Sequence, residues 1–514
     1  MTDEERLHKN GLCDLFMKEG IDGLQDNAAV IRALRLTDLS VELGREDSRS
    51  CVLAWIDALE KKGIGPENAI RLDFCKANAI AGERYGTQWR WDQSTLAREL
   101  FHLRRAVSHP AFPQCSDTVK CLCLTNLGNR LRYAGRFIEA LDCWRRVLDV
   151  QPNFGMALCN RARVFAVYAE ALEDDGKRAL FLWAAHREAS AALAPTAIYT
   201  DVRDGQTRED TKALKEQIES LVDLEGMAAL DPLAWEDASA TEEERDYRRW
   251  CLFNCLYLNP SNDLGRYAVA AHDHAGLAGH VVRVDSPHIF ESFFYQMVQE
   301  YVSARWLLYE GSGVRASHFS DREVSIPATE PLPSLSLAVE KLKAAYRSSY
   351  SLFDKVGFFV SAYMGLGVPE RRVSFRTLWY PGGKGPIRRE FDVTGNWGFC
   401  ALYWLAKDLF EKENDEVAEP QARGLSDIRN HIEHKYLRVT AAETATVPLD
   451  DLALMVSRAQ FESKAMHILR LARSALIYLG IGVGFEERRR QPGRIGVSIE
   501  ELPPTPYLAD ADRA

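Results

Sequence analysis

The sequence predicts a mainly α-helical protein with more than one domain, and three observations lead to this prediction. A chain of 514 residues exceeds the roughly 250–300 residues at which a single hydrophobic core stops growing. The 33 glycines and 20 prolines amount to about a tenth of the chain, which favours long helices over turn-rich β structure. Apolar residues also recur at three- and four-residue steps, the period of an amphipathic helix, from about Leu12 to Leu193.

Composition excludes several classes of protein. With 46% hydrophobic and 27% charged residues, the chain is typical of a soluble globular protein and not of a disordered or collagen-like one. The net charge of −10 argues against a polybasic nucleic-acid coat, so any contact with nucleic acid must be local. Eleven cysteines without a Cys-x-x-Cys pair favour reduced thiols over a metal site. We expect no cofactor and no bound metal.

The N-terminus carries no targeting pattern. Acidic and basic residues in MTDEERLHKNGLCDLF precede any apolar run, unlike a secretory signal or a transit peptide. The longest uncharged apolar stretches fall short of the roughly 20 residues that span a bilayer. These patterns predict a cytoplasmic protein that does not contact a membrane.

The first 200 residues have the pattern of stacked helical hairpins. The clearest unit is LTNLGNRLRYAGRFIEALDCWRRVLDVQP, whose small, aromatic and proline positions have the offsets of a tetratricopeptide repeat, TPR, of 34 residues; they are Leu127, Gly128, Gly135, Glu139, Ala140, Trp144 and Pro152. Gly128 and Ala140 allow two helices to approach closely, and Trp144 fills the space between hairpins. We therefore predict a TPR-like array over residues 1–200, followed by a polar connector over residues 201–245.

The second half contains four long amphipathic segments, which predict a helix bundle over residues 246–485. They run over 288–310, 334–365, 396–412 and 425–479, the last one broken near Pro448. Between the second and third segments, RRVSFRTLWYPGGKGPIRREFDV alternates apolar and polar residues around a Gly-Gly turn, which predicts a small β-hairpin inserted into the bundle. Residues 486–514 are predicted to be a C-terminal tail.

The segment LSDIRNHIEHKYL concentrates polar side chains on one predicted helix, with Ser426 or Asp427 as the N-cap. Arg429 and His434 lie five residues apart, about 140° around an ideal helix, so both can edge one cleft. An arginine offers a fixed fork to phosphate oxygens, and a histidine exchanges protons near neutral pH. The pair therefore suits metal-independent cleavage of a phosphodiester.

The spacing alone is not diagnostic, because R-x-x-x-x-H occurs three times in this chain. The other copies are Arg104 with His109 and Arg283 with His288, but proline follows the first histidine and precedes the second. Only the third copy lies in one uninterrupted helical pattern. A solvated helix face with an Arg429–Glu433 ion pair is the competing explanation.

The last 270 or so residues resemble the HEPN superfamily, whose four-helix domains carry R-x-x-x-x-H, commonly with asparagine after the arginine, as in RNHIEH here. The resemblance extends to WCLFNCLYLNPSNDL, EYVSARWLLYE, YRSSYSLFDKVGFFV and NWGFCALYWLAKDLF. The chain is most similar to the subfamily in which this domain follows a TPR-like region. Members are, as a class, metal-independent endoribonucleases of toxin, abortive-infection and anti-phage systems, and they usually pair as dimers.

The resemblance implies a role for each residue of the motif. Arg429 holds the scissile phosphate, His434 acts as acid or base while the ribose 2′-OH attacks, and Asn430 orients them. Residues of the motif helix with a weaker claim are His431 and Glu433, the latter more readily explained as the ion-pair partner of Arg429. Glu300 and Asp354, beside the apolar stripes of their helices, are candidates for an assisting acid, unless each simply pairs with a neighbouring base.

Two hypotheses of function follow. In the first, the protein is an RNA-cleaving effector that dimerises through its HEPN-like part and is regulated by a trigger or protein partner on the TPR-like part. In the second, it is a non-catalytic scaffold whose two parts bind protein or nucleotide partners.

A separate group of possible metal ligands is the sequence His272-Asp273-His274 with His280. This group could hold a metal, but a loop explains the sequence better.

Overall fold

The computed structural model describes most of the chain. The described residues are 2–84, 90–199, 204–229, 241–277, 288–313, 317–325, 332–383, 385–392, 395–411, 418–442 and 446–490. They form 18 α-helices and a three-stranded sheet. The prediction of a mainly α-helical fold is confirmed.

The N-terminal part is a succession of antiparallel helices. They are α1 (Asp3–Glu19), α2 (Asp26–Leu43), α3 (Glu46–Lys62), α4 (Pro66–Ala81), α5 (Ser94–Val107), α6 (Asp117–Tyr133), α7 (Phe137–Val150), α8 (Gly155–Ala171) and α9 (Asp175–Leu193). Helices α4 with α5, α6 with α7 and α8 with α9 pack as neighbouring pairs. The predicted close approach is present in the α6–α7 hairpin, because a Cβ atom on Gly128 would lie 2.5 Å from the buried Trp144 ring.

Part of the predicted connector is helical. Helix α10 (Asp204–Glu219) packs on α9, and α11 (Leu224–Ala229) follows it. The polar composition that predicted a linker therefore belongs to the solvent face of a further helix, whose inner residues, such as Ile218 and Thr211, are buried.

The C-terminal part contains the predicted long helices. They are preceded by α12 (Glu242–Phe253) and comprise α13 (Ile289–Gly313), α14 (Leu337–Tyr363), α16 (Trp397–Phe410), α17 (Ala422–His434) and α18 (Arg458–Arg490), with the short α15 (Arg389–Asp392) before α16. Helix α18 packs against α13, α14 and α16. It extends to Arg490, five residues beyond the predicted end of the bundle at 485.

The predicted β-hairpin is misplaced. Among residues 371–393, those that the structure describes form turns, bends and short helical segments. The sheet lies instead at the predicted break near Pro448, where β1 (Tyr436–Thr440) and β3 (Ala453–Ser457) run parallel and β2 (Val447–Pro448) pairs antiparallel with β3. Strand β3 is buried along its whole length, so its apolar run ALMVS, which looks like a helix segment, is a buried strand.

One continuous core joins the two parts of the chain. At their boundary, Arg104 of α5 donates two hydrogen bonds of 2.6 and 2.7 Å to the carboxylate of Asp408 in α16, and Arg136 pairs with the same carboxylate. All three side chains are buried. The packing of the N-terminal array against the bundle therefore depends on a buried network of charges.

Helix α18 is long and apolar enough to cross a membrane by length and composition alone. However, 89% of its most apolar window is buried inside the protein. Such burial is typical of the central helix of a domain core, and α18 has this position in the bundle.

Candidate active site

Helix α17 carries the R-x-x-x-x-H motif and begins earlier than predicted. Its first residue is Ala422, so Ser426 and Asp427 lie inside the helix and neither is the N-cap. The predicted inner face is correct: Leu425 and Ile428 are buried, and Ile432 packs against the core. This burial fixes which side chains face outward, and they include those of the motif.

Arg429 faces helix α14 and carries a charge that the described part of the chain leaves without an ion pair. One of its Nη atoms donates a 3.3 Å hydrogen bond to Oδ1 of Asn430. The guanidinium carbon lies 6.0 Å from the ring centre of Tyr350. Arg429 thus contacts Asn430, and the positive charge of Arg429 remains open to an anion.

Asp354 of α14 lies close enough to Arg429 for their charges to interact. Burial raises the pKa of the Asp354 carboxyl above its ordinary value, although Arg429 and a backbone hydrogen bond from Phe375 both act to lower it. A carboxyl in this state is suited to hold or exchange a proton closer to neutral pH. Of the two predicted supporting acids, Asp354 is the one that the fold brings to the motif.

Tyr350 is a residue of this site that the sequence pattern did not single out. Burial raises the pKa of Tyr350 to about 12, with Asp354 acting in the same direction and Arg429 and a hydrogen bond from Ser426 opposing it. Its hydroxyl therefore stays protonated and can donate a hydrogen bond. Tyr350 and Asp354 are four residues apart, so their common helix face could have been recognised from the sequence.

Glu300 is not part of this arrangement. Its carboxylate pairs through both oxygens with Lys355 and accepts a 3.0 Å hydrogen bond from Gln296. The competing explanation, a carboxylate that pairs with a neighbouring base, therefore applies to Glu300. Within the described residues, no hydrogen bond or ion pair joins it to the motif.

The sequence suggested an ion pair between Glu433 and Arg429, but the two residues do not pair in the structure. Glu433 forms a 3.2 Å ion pair with Arg347 of α14, which also donates a 3.3 Å hydrogen bond to the carbonyl of Ile432. Arg347 holds the last turn of α17 against α14, a role that no sequence pattern indicated. Because Glu433 pairs with Arg347, Arg429 has no carboxylate partner on its own helix.

The two histidines of the motif helix differ in their surroundings. His431 Nδ1 lies 2.7 Å from the carbonyl of Asp427, an acceptor, so Nδ1 carries the proton. His434 is the last residue of α17 and is exposed to solvent, and β1 begins two residues later. The hydrogen bond thus holds the His431 ring against its own helix, whereas the His434 side chain lies at the end of the helix and is open to solvent.

The other R-x-x-x-x-H copies have structural roles or lie outside the described residues. Arg104 is bound to Asp408, and His109 Nδ1 accepts a 3.1 Å hydrogen bond from the backbone of Ala111. Arg283 belongs to the part that is not described. Of the two copies that the structure describes in full, the one on α17 joins an arginine without an ion pair to an exposed histidine.

The suggested metal cluster near residue 272 has a different explanation. Asp273 accepts hydrogen bonds of 2.8 and 2.7 Å from Arg305 and one of 2.8 Å from the backbone of Leu258. His280 lies outside the described residues. Within them, no group of three or more potential metal ligands occurs.

Replacing Asp354 with asparagine is expected to raise the melting temperature at neutral pH. Because the folded-state pKa of Asp354 is raised, the ionised carboxylate costs stability, and this cost grows as the pH rises above the ordinary value of 3.8. The gain of the variant over wild type should vanish in acid and increase toward neutrality. Thermal unfolding at several pH values measures it.

The matched control is Asp427→Asn on α17, whose side chain makes no hydrogen bond or ion pair with other described residues. This change should leave the pH dependence of melting unaltered. A lower melting temperature for Asp354→Asn at neutral pH would contradict the assignment of a destabilising carboxylate at this site.

Comparison with known protein families gives one match. Residues 281–486 match the family described as LA2681-like HEPN, a range that includes helices α13 to α17 and most of α18, with the motif on α17. The comparisons with curated proteins and with solved structures found no match. The family match supports the assignment of the C-terminal part of this chain to the HEPN superfamily.

Proposed function

We propose that this protein is a metal-independent endoribonuclease whose HEPN domain cleaves RNA with Arg429 and His434. HEPN domains are generally ribonucleases. The observation that carries the proposal concerns the surroundings of Arg429: it has no ion-pair partner among the described residues, contacts the ring of Tyr350 and acts electrostatically on the half-buried Asp354. An arginine in this position is available to a phosphodiester.

The chemistry needs no metal. Arg429 binds the non-bridging oxygens of the scissile phosphate and stabilises the charge that develops there. The ribose 2′-OH attacks phosphorus as a base takes its proton, and the 5′-oxygen leaves with a proton from an acid. His434 fills one of these two roles, Asn430 orients Arg429, and the products are a 2′,3′-cyclic phosphate and a 5′-hydroxyl.

We further propose that the active unit is a homodimer. Arg429 and His434 are about 140° apart around α17, and His434 is exposed at the end of the helix. Two copies of α17 facing each other place the histidine of one subunit near the arginine of the partner. Sedimentation of the purified protein tests the dimer.

The biological setting belongs to the same proposal. We place the protein in the cytoplasm, as an effector of an abortive-infection, toxin or other anti-phage system. The TPR-like array would receive the trigger or a protein partner, and the buried Arg104–Asp408 contact would carry the signal to the bundle.

Cleavage of labelled RNA in the presence of EDTA tests the activity. Wild-type protein is expected to produce fragments that end in 2′,3′-cyclic phosphate, and the Arg429→Ala, His434→Ala double variant is expected to produce none. Equal cleavage by both proteins would refute the proposal. If neither protein cleaves RNA, and both act equally in a cell-toxicity and phage-protection assay, the non-catalytic scaffold is the correct function.

A further inference from the structure

A cavity of about 330 Å³ lies between the two parts of the chain, away from the cleft of the R-x-x-x-x-H motif. Its walls come from α5, α6 and α7 of the N-terminal array and from α16, α17 and α18 of the bundle. Its volume is within the range of small-molecule sites. The apolar part of the wall includes Leu131, Ile138 and Leu471.

More arginines than carboxylates line this cavity. Seven arginines line it against five carboxylates. Each of the five carboxylates is already engaged by an arginine: Asp408 and Glu419 by Arg104, Glu139 by Arg136, Asp142 by Arg145 and Asp263 by Arg473. The acids in the wall therefore neutralise only the arginines that they hold.

Three arginines of the wall have no carboxylate partner among the described residues. Arg146 makes no hydrogen bond or ion pair there. Arg266 lies 4.3 Å from the ring centre of Phe253, and Arg470 donates hydrogen bonds of 3.0 and 3.4 Å to the backbone and side-chain oxygens of Asn254. Arg266 and Arg470 are exposed at the mouth of the cavity and Arg146 is half-buried, so a ligand that enters from solvent meets positive charge, which favours an anion.

Two further residues of the wall are unusual. His467 lines the cavity with an exposed side chain and makes no hydrogen bond with other described residues. Cys255 has φ of 54° and is, among the described residues, the one non-glycine position in the left-handed region. This conformation closes the end of helix α12, where the backbone of Leu256 donates a 2.9 Å hydrogen bond to the carbonyl of Cys251.

We propose that this cavity binds a small molecule that carries phosphate groups. The guanidinium groups of Arg146, Arg266 and Arg470, which have no carboxylate partner among the described residues, bind phosphate oxygens. His467 adds a hydrogen-bonding group, and the leucine-rich wall accommodates an uncharged part of the ligand. The volume admits a molecule of about nucleotide size and excludes a folded RNA.

The position of the cavity also suggests a consequence for the motif. Leu425 lines the cavity and lies one helical turn before Arg429 in α17. A ligand here contacts both the N-terminal array and the helix that carries the motif. An effect of the ligand on RNA cleavage rests on the proposed function, whereas binding itself does not.

Isothermal titration of the full chain with inorganic phosphate, pyrophosphate and ATP tests the binding site. At least one probe is expected to bind saturably, and the Arg146→Gln, Arg470→Gln double variant should weaken binding at least tenfold. Arg266→Gln provides a second variant, since its side chain contacts a ring and no carboxylate. The control Arg35→Gln, on α2 and outside the cavity, should bind as wild type does.

Arg429→Ala separates this proposal from the ribonuclease function. It should abolish cleavage and leave the binding of the probe unchanged. Failure of all three probes to bind would overturn the cavity proposal, and so would undiminished binding by both cavity variants. Loss of binding in Arg429→Ala would place the anion site in the HEPN cleft and would also overturn it.

Discussion

Replacing Arg429 with alanine is expected to lower the rate of RNA cleavage at least about 100-fold, the cost typical of removing one group that stabilises transition-state charge. The guanidinium is the group of this site that can neutralise the phosphate as the 2′-OH attacks. The expected loss is in the rate of the chemical step, measured in single-turnover cleavage with protein in excess over RNA.

The same change should leave the fold intact. Arg429 contacts Tyr350 and Asn430 at the surface of α17 and forms no ion pair in the described part of the chain. We therefore expect the melting temperature to change little. A large fall in melting temperature would mean that lost cleavage reports unfolding and not catalysis.

Two variants serve as controls for this prediction. Arg423→Ala removes an exposed arginine from the same helix and should leave cleavage near the wild-type rate. Arg429→Lys keeps the charge but loses the planar fork, so it should recover only part of the activity. Full activity in Arg429→Ala would exclude Arg429 from the chemistry.

Replacing Asp408 with asparagine is expected to lower the free energy of unfolding by about 3–5 kcal/mol, the usual cost of removing one partner of a buried ion pair. Arg104 and Arg136 would remain buried at the boundary of the two parts without the carboxylate that they share, and each would keep only its other partner, Glu419 or Glu139. Urea denaturation followed by circular dichroism measures the change.

The loss of stability in Asp408→Asn should depend on pH in a direction that follows from the pKa of Asp408. Burial alone would raise the pKa of Asp408, but Arg104 and Arg136 outweigh it and hold that pKa below its ordinary value. The stabilisation by the ionised form is therefore present at neutral pH and is lost as the pH falls through the folded-state pKa. The difference in free energy of unfolding between Asp408→Asn and wild type should therefore become smaller in acid.

Asp149→Asn is the matched control for Asp408→Asn. Asp149 pairs with Arg145 at 2.8 Å, but its side chain is 64% exposed, and exposed ion pairs contribute about 1 kcal/mol or less. Equal losses of stability in the two variants would show that the buried Asp408 network contributes no more to the packing of the two parts than an exposed ion pair does.

The sequence predicted the helical elements well where the apolar period was long. Helices α13, α14 and α16 lie close to the predicted segments, because residues three and four positions apart must share one buried face. The sheet was missed because β3 is buried on both faces, so ALMVS lacks the alternation that distinguishes a half-buried strand.

The sequence by itself determined the helical character of the chain, the R-x-x-x-x-H motif on a single helix and the residues that make up its buried face. These features depend on residues close together along the chain. The tertiary structure decided which charges meet: Asp354 lies beside Arg429, Glu300 pairs with Lys355, and Glu433 pairs with Arg347. Contacts of this kind join residues tens to hundreds of positions apart, and their geometry is fixed only when the helices pack.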